Sequence, residues 1–470
     1  MASTTDIGQA LHPASWKPPL RPGQELAARV VSSAQEFRRL EEDWAALHEA
    51  TGSSVFQSWD WQWTWWKHFG RQDPRRALHI VLVEGGGQIA AIAPFFIEKV
   101  DVLPGLRLRR LSFLGTGLTD YLDLVVRRGF EEIACDCIAA HLASAPGFDV
   151  CSLADISASS PVLEPLRAAL ERHGLETNAF VCEQCPRTVL KGTWKETLET
   201  FDHERRRKRL SRIRQLRKQF DVALDICSDW KGVGRDVEEF MGLHQAGWSG
   251  QGKKGVYADR KTAAFQRAVA QIFFRRGELW LAFLRVNGAR IAAMLGFIHR
   301  GEMAHYLNGL GDAGEAARFS PGTTLTVLAM EELNSRGVRV YDFLRGTEEY
   351  KYEFAPIEVP NWALISFRKG ARLARIKHSL RLLRESLGRR VEQERIALQH
   401  LIEEHGLFSA AAVCHLVTRL LPTMQDSMKK LRSPERSLTA EECARRAGAA
   451  GSGADEAQPG PAVSSRPPIR

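Results

Sequence analysis

A mixed α/β fold (α+β in its sheet hairpins), written twice along the chain, is the class this sequence predicts. Three observations carry that prediction. Short β-rich runs alternate with amphipathic helical stretches between about residues 26 and 370. A gapless shift of 202 residues lays Leu82, Gly86, Ile89, Ala90, Ala91 and Phe95 on Leu284, Gly288, Ile291, Ala292, Ala293 and Phe297. The composition, 44% hydrophobic and 26% charged over 470 residues, is that of a globular chain and excludes a disordered, collagen-like or disulfide-scaffold protein.

The elements follow in order. Residues 1–25, rich in proline, read as a flexible arm. Leu26 to Val31 predicts a strand and Ala34 to Glu49 a helix. Leu78 to Val83 and Gln88 to Glu98 predict a hairpin turning at Gly85-Gly86-Gly87. Leu111 to Leu114 and Tyr121 to Val126 predict strands, Phe130 to Ala143 a helix, Val150 to Leu153 a strand, and Ser160 to His173 a helix stopped by Gly174. The repeat divides the folded part into modules of 26–190 and 191–370, with an interdomain cleft as the expected ligand site. Leucine stripes at helical spacing make 371–432 a basic helical extension, and the Ala/Gly/Ser/Pro-rich 433–470 a disordered tail.

The net charge of +9 is unevenly placed. Residues 203–218 carry nine Lys/Arg against Glu204 alone, and 371–436 carry thirteen against seven acids, so the remainder is net negative. With Leu210, Ile213, Leu216 and Phe220 on one side, 203–218 predicts an amphipathic helix. Its outer face suits RNA phosphates, an anionic bilayer or a phosphorylated substrate, or is simply solvated. No run approaches the ~18 apolar residues of a membrane span. No export signal is evident, which points to the cytoplasm. Of the eight cysteines only Cys182-x-x-Cys185 has metal-like spacing. Without a second ligand pair it reads as ordinary thiols, and no metal is expected.

The segment 305–354 is richest in chemistry. His305 to Leu310 predicts a strand. Ser320 is placed to cap a following helix, Pro321 to open it, and Leu325, Leu328, Ala329 and Leu333 to bury it. The free amides of Gly322, Thr323 and Thr324 at its positive pole, with Arg318 just outside, suit a phosphate; a plain capped helix has the same pattern. Asp342, inside an apolar strand, needs a cationic partner, for which Arg345 and Lys351 are candidates. It reads as a structural ion pair or as a catalytic group. Tyr350 is placed to give a leaving group a proton, or to pack. His244 and Trp248, four apart, share a helical face, and His244 reads as a base or as a core histidine. Trp59, Trp61, Trp63, Trp65 and Trp66 surround one helix axis, as core packing or as an aromatic groove for a sugar.

These residues also carry a resemblance. From Phe240 to Phe354 the chain resembles the acetyltransferase-type domain of CelD-like proteins of bacterial cellulose and exopolysaccharide clusters. Those belong to the GNAT superfamily and are close to the FemAB peptidoglycan aminoacyltransferases. The resemblance rests on Leu243-His244 with Trp248, Gly277-Glu278-Leu279, Ile291-Ala292-Ala293, Pro321-Gly322, and Tyr341-Asp342-Phe343 with Gly346, Glu349, Tyr350 and Lys351. The Trp-rich segment followed by Phe69-Gly70 fits the family's N-terminal half.

The resemblance implies two tandem GNAT-like modules and acyl transfer from acetyl-CoA or another acyl-CoA to an amine or hydroxyl of a sugar or polysaccharide precursor. It places the donor pyrophosphate on Arg318 and Ser320 to Thr324 and Tyr350 as the proton donor; with it, the residues read above make Asp342 and His244 further catalytic candidates and Trp248, Arg345 and Lys351 candidate substrate contacts. The family's pyrophosphate signature of Gln or Arg, two residues, Gly, one residue, then Gly or Ala reads here as Arg318, Pro321 and Thr323. Proline has no N–H to offer. A FemAB-like aminoacyl-tRNA donor, with 203–218 on the tRNA backbone, therefore stays open, as does a module that binds ligand without turnover.

Overall fold

The computed structural model describes residues 25–145, 147–249 and 255–382. The expected arm (but for Glu25), the tail 433–470 and most of the extension 371–432 lie outside the described residues. Within that extension, 372–382 are helical.

The first part of the chain forms β1 (Ala27–Val31), α1 (Ala34–Arg39), α2 (Glu41–Thr51), α3 (Trp59–Trp65), β2 (Arg76–Leu78), β3 (Ile80–Gly85), β4 (Gln88–Ala93), β5 (Phe95–Leu103) and β6 (Leu106–Phe113). Next come β7 (Val125–Val126), α4 (Glu131–Ser144), β8 (Val150–Ser157), α5 (Leu163–Arg172) and β9 (Leu175–Val189). The second part adds α6 (Trp194–Glu199), α7 (His203–Gln219), β10 (Val222–Ile226), α8 (Trp230–Ser249), α9 (Arg260–Arg275) and β11 (Leu279–Val286). It ends with β12 (Ala289–His299), β13 (Glu302–Leu310), α10 (Pro321–Ser335), β14 (Val340–Asp342) and β15 (Ile357–Arg368).

The fold is mixed α/β, as the alternation of elements predicts. A four-stranded sheet has the order β1-β3-β4-β7, and an eleven-stranded sheet the order β10-β11-β12-β13-β14-β9-β15-β8-β6-β5-β2. The large sheet passes through both halves of the sequence, because β9 pairs with β14 on one side and β15 on the other. β15 in turn pairs with β8.

The hairpins joined by the 202-residue shift both exist, β3–β4 in the small sheet and β11–β12 in the large one. Gly86 and Gly87 have φ of 55° and 73°, Asn287 and Gly288 φ of 49° and 84°. Two successive left-handed residues make the same tight hairpin turn, whose twist matches the strands.

Three local expectations change. The helix expected over Ala34 to Glu49 is two, because at Leu40 (φ −78°, ψ −2°) the backbone tightens and its N–H turns to the carbonyls of Phe37 and Arg38. The strand expected over Gln88 to Glu98 breaks at Pro94, which cannot donate to a ladder, and there the chain leaves the small sheet for the large one. Of Tyr121 to Val126 only Val125–Val126 pairs. Tyr121 is left-handed at φ 53°, and Leu122 N–H is given to Asp155 O at 2.9 Å.

One core cluster joins the two halves around α3. Trp61 is fully buried, with ring centroids 4.8 Å from Phe56, 5.3 Å from Phe265 and 5.3 Å from Phe297, and its indole N–H donates to Thr119 Oγ1 at 2.9 Å. Trp59, Trp65 and Trp66 are buried too, and Trp63 stacks on Trp59. The tryptophans are therefore core and not a sugar groove. Among the described residues, no helix is long and apolar enough to cross a membrane.

Candidate active site

β13 and β14 run parallel for only three pairs, from Glu302↔Val340 to Ala304↔Asp342. Beyond them β13 stays on β12, while the chain after Asp342 follows β9, with Phe343 N on Pro186 O at 2.9 Å and Gly346 N on Gln184 O at 3.0 Å. The sheet therefore opens into a wedge. The wedge and the adjoining faces of α8 and α9 enclose a cavity of about 530 Å³, closed on one side by Gly117, Leu118 and Asp120 of the first half. This is a size typical of ligand sites, and it lies between the halves.

α8 reaches β13 closely because Gly309 has no side chain: a Cβ there would lie 2.8 Å from His244 N. His244 Nδ1 is 2.5 Å from the carbonyl oxygen of Asn308. A carbonyl only accepts, so Nδ1 carries the proton and Nε2 the lone pair. Nε2 is buried and has no partner among the described residues. Burial lowers the imidazole's pKa, which keeps it neutral.

A chain of hydrogen bonds crosses the cavity wall. Tyr341 O–H donates to His305 Nδ1 at 2.9 Å, and His305 Nε2 donates to Asn308 Oδ1 at 2.7 Å. Asn308 Nδ2 then donates to the Tyr350 oxygen at 3.4 Å. Burial pushes His305 down to about 4 and Tyr350 up to about 12, so both stay neutral near pH 7. Tyr350 thus accepts one hydrogen bond and keeps its own proton free. The register slip that leaves Tyr306 unopposed on β13 re-aims side chains here, and Tyr306 O–H donates to Leu118 O at 2.6 Å.

Five residues expected at the site line this cavity: His244, Trp248, Arg345, Tyr350 and Lys351. Arg345 pairs with Asp120 at 3.1 Å and with Asp155 at 3.5 Å, tying the halves together. Lys351 is buried and donates to the carbonyls of Arg345 (2.8 Å) and Gly346 (3.3 Å) while pairing with Glu348 at 2.8 Å, which clamps the wedge loop shut.

Neither of these is the partner of Asp342. That partner is Arg187 of β9 at 2.7 Å, with Tyr121 O–H donating to the same carboxylate at 2.8 Å. β14 pairs with β9 through Asp342↔Arg187, which brings the two side chains together. Asp342 lines a second cavity, separate from the wedge. Burial raises its carboxyl to about 6 against the opposing pull of Arg187.

The start of α10 lies at the rim of the wedge, where a Cβ on Gly322 would come within 3.3 Å of Leu310. Pro321 opens the helix as expected, and the expected stripe is buried. Ser320 is in the N-cap position but makes no side-chain cap: it is left-handed (φ 53°), and Arg212 Nη1 of α7 lies 3.5 Å from its hydroxyl. α7 closes over this pole, leaving a space of about 10 Å³ between Arg209 and Arg212 and the side chains of Ser320, Thr323 and Thr324. Arg318 turns away to Gln219 and stacks on Phe319.

The reading of the sequence did not single out His305 as a network member, nor Asn308, Tyr306 or Gln266, all of which line the wedge. A His-x-x-Asn pair within a strand was the signal available. Cys182 and Cys185 make no metal cluster, and among the described residues no group of three or more His, Cys, Asp or Glu can hold an ion.

Residues 204–352 match the family model described as an acetyltransferase (GNAT) domain. That span includes the wedge residues of α8 and β13, the start of α10, Tyr350 and Lys351. No curated protein matches the chain. Among solved structures the fold is similar to FemX, at 12% identity and a TM-score of 0.48, over 72% of this chain and 96% of that one. It is also similar to L-PGS from Bacillus licheniformis (12%, 0.43, over 73% and 95%). A tandem GNAT protein from the clavulanic acid biosynthesis pathway is a third (14%, 0.37, over 72% and 98%).

Proposed function

We propose that the protein is an acyltransferase that works in the wedge, with His244 as general base and Tyr350 as proton donor. The observation that carries the reading is the His244–Asn308 contact, which fixes the tautomer whose Nε2 lone pair is unspent, on a residue that lines the cavity. The GNAT-domain match over the same residues supports it. The donor we favour is an acyl-CoA, probed first as acetyl-CoA. The acceptor we favour is an amine or hydroxyl on a sugar or polysaccharide precursor, which rests on the resemblance to CelD-like proteins and is placed in the cytoplasm.

The start of α10 offers an elongated anionic donor positive charge but little room, because α7 leaves about 10 Å³ there and would have to move aside. A Cβ on Gly322 would lie 3.3 Å from the Leu310 side chain at the wedge rim, and α10's positive pole with Arg212 beside it suits phosphate. The amides of Gly322 and Thr323 would hold that end beside Ser320, whereas Thr324, expected to offer a free amide, gives its N–H to Ser320 O and its hydroxyl to Phe319 O, both at 2.9 Å, and Arg318 is held on Gln219. A bound acyl thioester supplies an activated carbonyl. His244 Nε2 takes the proton of the acceptor's nucleophilic atom, a transfer eased by burial that strips water from the base. Tyr350 holds a proton at its phenol oxygen for the departing sulfur, and Asn308 orients both groups at once through its backbone carbonyl and its amide. Lys351 keeps the loop that carries Tyr350 in place, and Trp248 stands at the cavity wall. Asp342, on Arg187, positions the strand and lines the other cavity.

A specific observation favours a second reading. α7 crowds the pole of α10, and its outward Lys/Arg face suits a nucleic-acid backbone, as an aminoacyl-tRNA donor requires. The test is release of coenzyme A thiol from acetyl-CoA with a panel of amines and sugars. Release that depends on acceptor and falls at least about 10²-fold in His244→Gln supports the proposal. Consumption of aminoacyl-tRNA without thiol release from acetyl-CoA selects the second reading.

A further inference from the structure

A second cavity, of about 290 Å³, lies on the other side of the point where the sheet divides. Ala304 and Asp342, the last paired residues of β13 and β14, line it, while His305 and Phe343 line the wedge. The two cavities thus follow each other along β13. Nothing in the proton transfers above uses the second one.

Its lining has a distinct chemistry. Ser53, Ser157, Ser159 and Ser160 line it together with Asp123; the Ser53 hydroxyl is 2.7 Å from that of Thr51, and Ser160 hydrogen-bonds the Asp123 carboxyl. Ser157 and Ser159 share a hydrogen bond at 2.9 Å. Asp123 accepts from Leu124 N at 2.8 Å, and burial raises its carboxyl to about 7. His299 adds a ring nitrogen: its Nδ1 lies 2.6 Å from Glu278 Oε1, and its Nε2 has no hydrogen-bond partner among the described residues. Phe56 and Phe297 supply an apolar wall.

The cations at the cavity are already engaged. Arg187 is on Asp342 at 2.7 Å, and Arg300 is on Glu49 at 3.1 Å. Glu302 adds a further carboxylate to the lining. A phosphate or other anion would meet no spare positive charge and would face Asp123 and Glu302. A ligand with many hydroxyls and one apolar face meets what is present: small donor–acceptor side chains, a carboxyl that accepts, and aromatic walls.

We propose that this cavity is a saccharide-binding site that takes one uncharged sugar unit. The site is distinct from the wedge and does not depend on acyl transfer there. It gives the chain a way to hold a sugar beside the reaction cavity whatever the donor.

The test is titration of the full chain with glucose, N-acetylglucosamine and their disaccharides, followed by calorimetry and ligand-observed NMR, with glucose 6-phosphate as the charged comparison. Ser159→Trp, at an exposed loop position, fills the cavity without touching the core. Asp123→Asn keeps the shape and the Leu124 contact but removes the charge. The expected result is saturable binding of an uncharged sugar, weakened at least about tenfold by each change in protein with an unchanged circular dichroism spectrum. Absence of saturable binding in folded wild type overturns the proposal, as does binding that Ser159→Trp leaves intact or tighter binding of glucose 6-phosphate. Acetyl-CoA is titrated into the same samples. Sugar binding without acetyl-CoA binding removes the acyl-CoA donor and leaves this site standing.

Discussion

The Nδ1 atom of His244 lies 2.5 Å from the carbonyl oxygen of Asn308, so a side chain of α8 is held by the backbone of β13. The pairing fixes the imidazole tautomer and leaves Nε2 as the base. His244→Gln is expected to lower kcat by about 10²–10⁴-fold with donor binding preserved. Because burial holds this histidine below its ordinary 6.5, the active neutral form predominates at pH 7. Steady-state kcat/KM should therefore be flat from neutral pH to mildly alkaline pH and fall only in acid. A rise in KM alone, or a profile with a hydroxyl acceptor that falls steeply between pH 8 and 7, contradicts the role.

Tyr350→Phe removes a proton and little else. Its oxygen accepts a single long hydrogen bond from Asn308, at 3.4 Å, so the stability change should stay within about 1 kcal/mol. The turnover should drop about 10²-fold. Single-turnover rates and a denaturant melt separate the two. Equal activity would make Tyr350 a packing residue of the wedge.

Arg187 and Asp342 form a buried pair across β9 and β14. Arg187→Leu leaves the carboxylate without its partner and should cost about 3–5 kcal/mol in a urea titration. The double change Arg187→Leu with Asp342→Asn removes the stranded charge and should recover much of that loss. A double variant as unstable as the single one contradicts the pairing.

His305 titrates at about 4 because burial disfavours its charged form. With a folded pKa below the unfolded value, its contribution is present at neutral pH and is lost as pH falls from 6.5 toward 4. Between pH 7 and pH 5 the wild type should lose about 2 kcal/mol relative to His305→Gln, which has no such proton to bind. Paired urea titrations at the two pH values measure that difference. A constant gap contradicts a buried neutral imidazole.

The sequence told most about elements whose patterns are local. His244 and Trp248 fall on one helical face by spacing, and Pro321 opens α10 by its fixed φ. The apolar strand read around Asp342 is β14, of three residues. Two long strands were hidden. β9 carries Glu176, Asn178, Glu183 and Gln184 and mixes exposed with half-buried positions over most of its length, so it lacks an apolar run. β15 contains Pro360, which argues against a strand unless the ladder is interrupted; the register does slip between Asn361 and Trp362. The partner of Asp342 was hidden for another reason. Arg187 comes to it only through a strand pairing between distant segments, so nearer cations, Arg345 and Lys351, stood in its place. The site therefore depends on topology as much as on motif: the wedge exists because two strands part, and no residue type marks that event.

Calorimetric titration of acetyl-CoA into the full chain, with Gly322→Trp as the matched variant, tests the central claim most directly. The account predicts saturable binding that weakens at least about tenfold when an indole fills the start of α10 beside Leu310, in protein whose fold is unchanged. Absence of binding in folded wild type, or equal binding in Gly322→Trp, would contradict it.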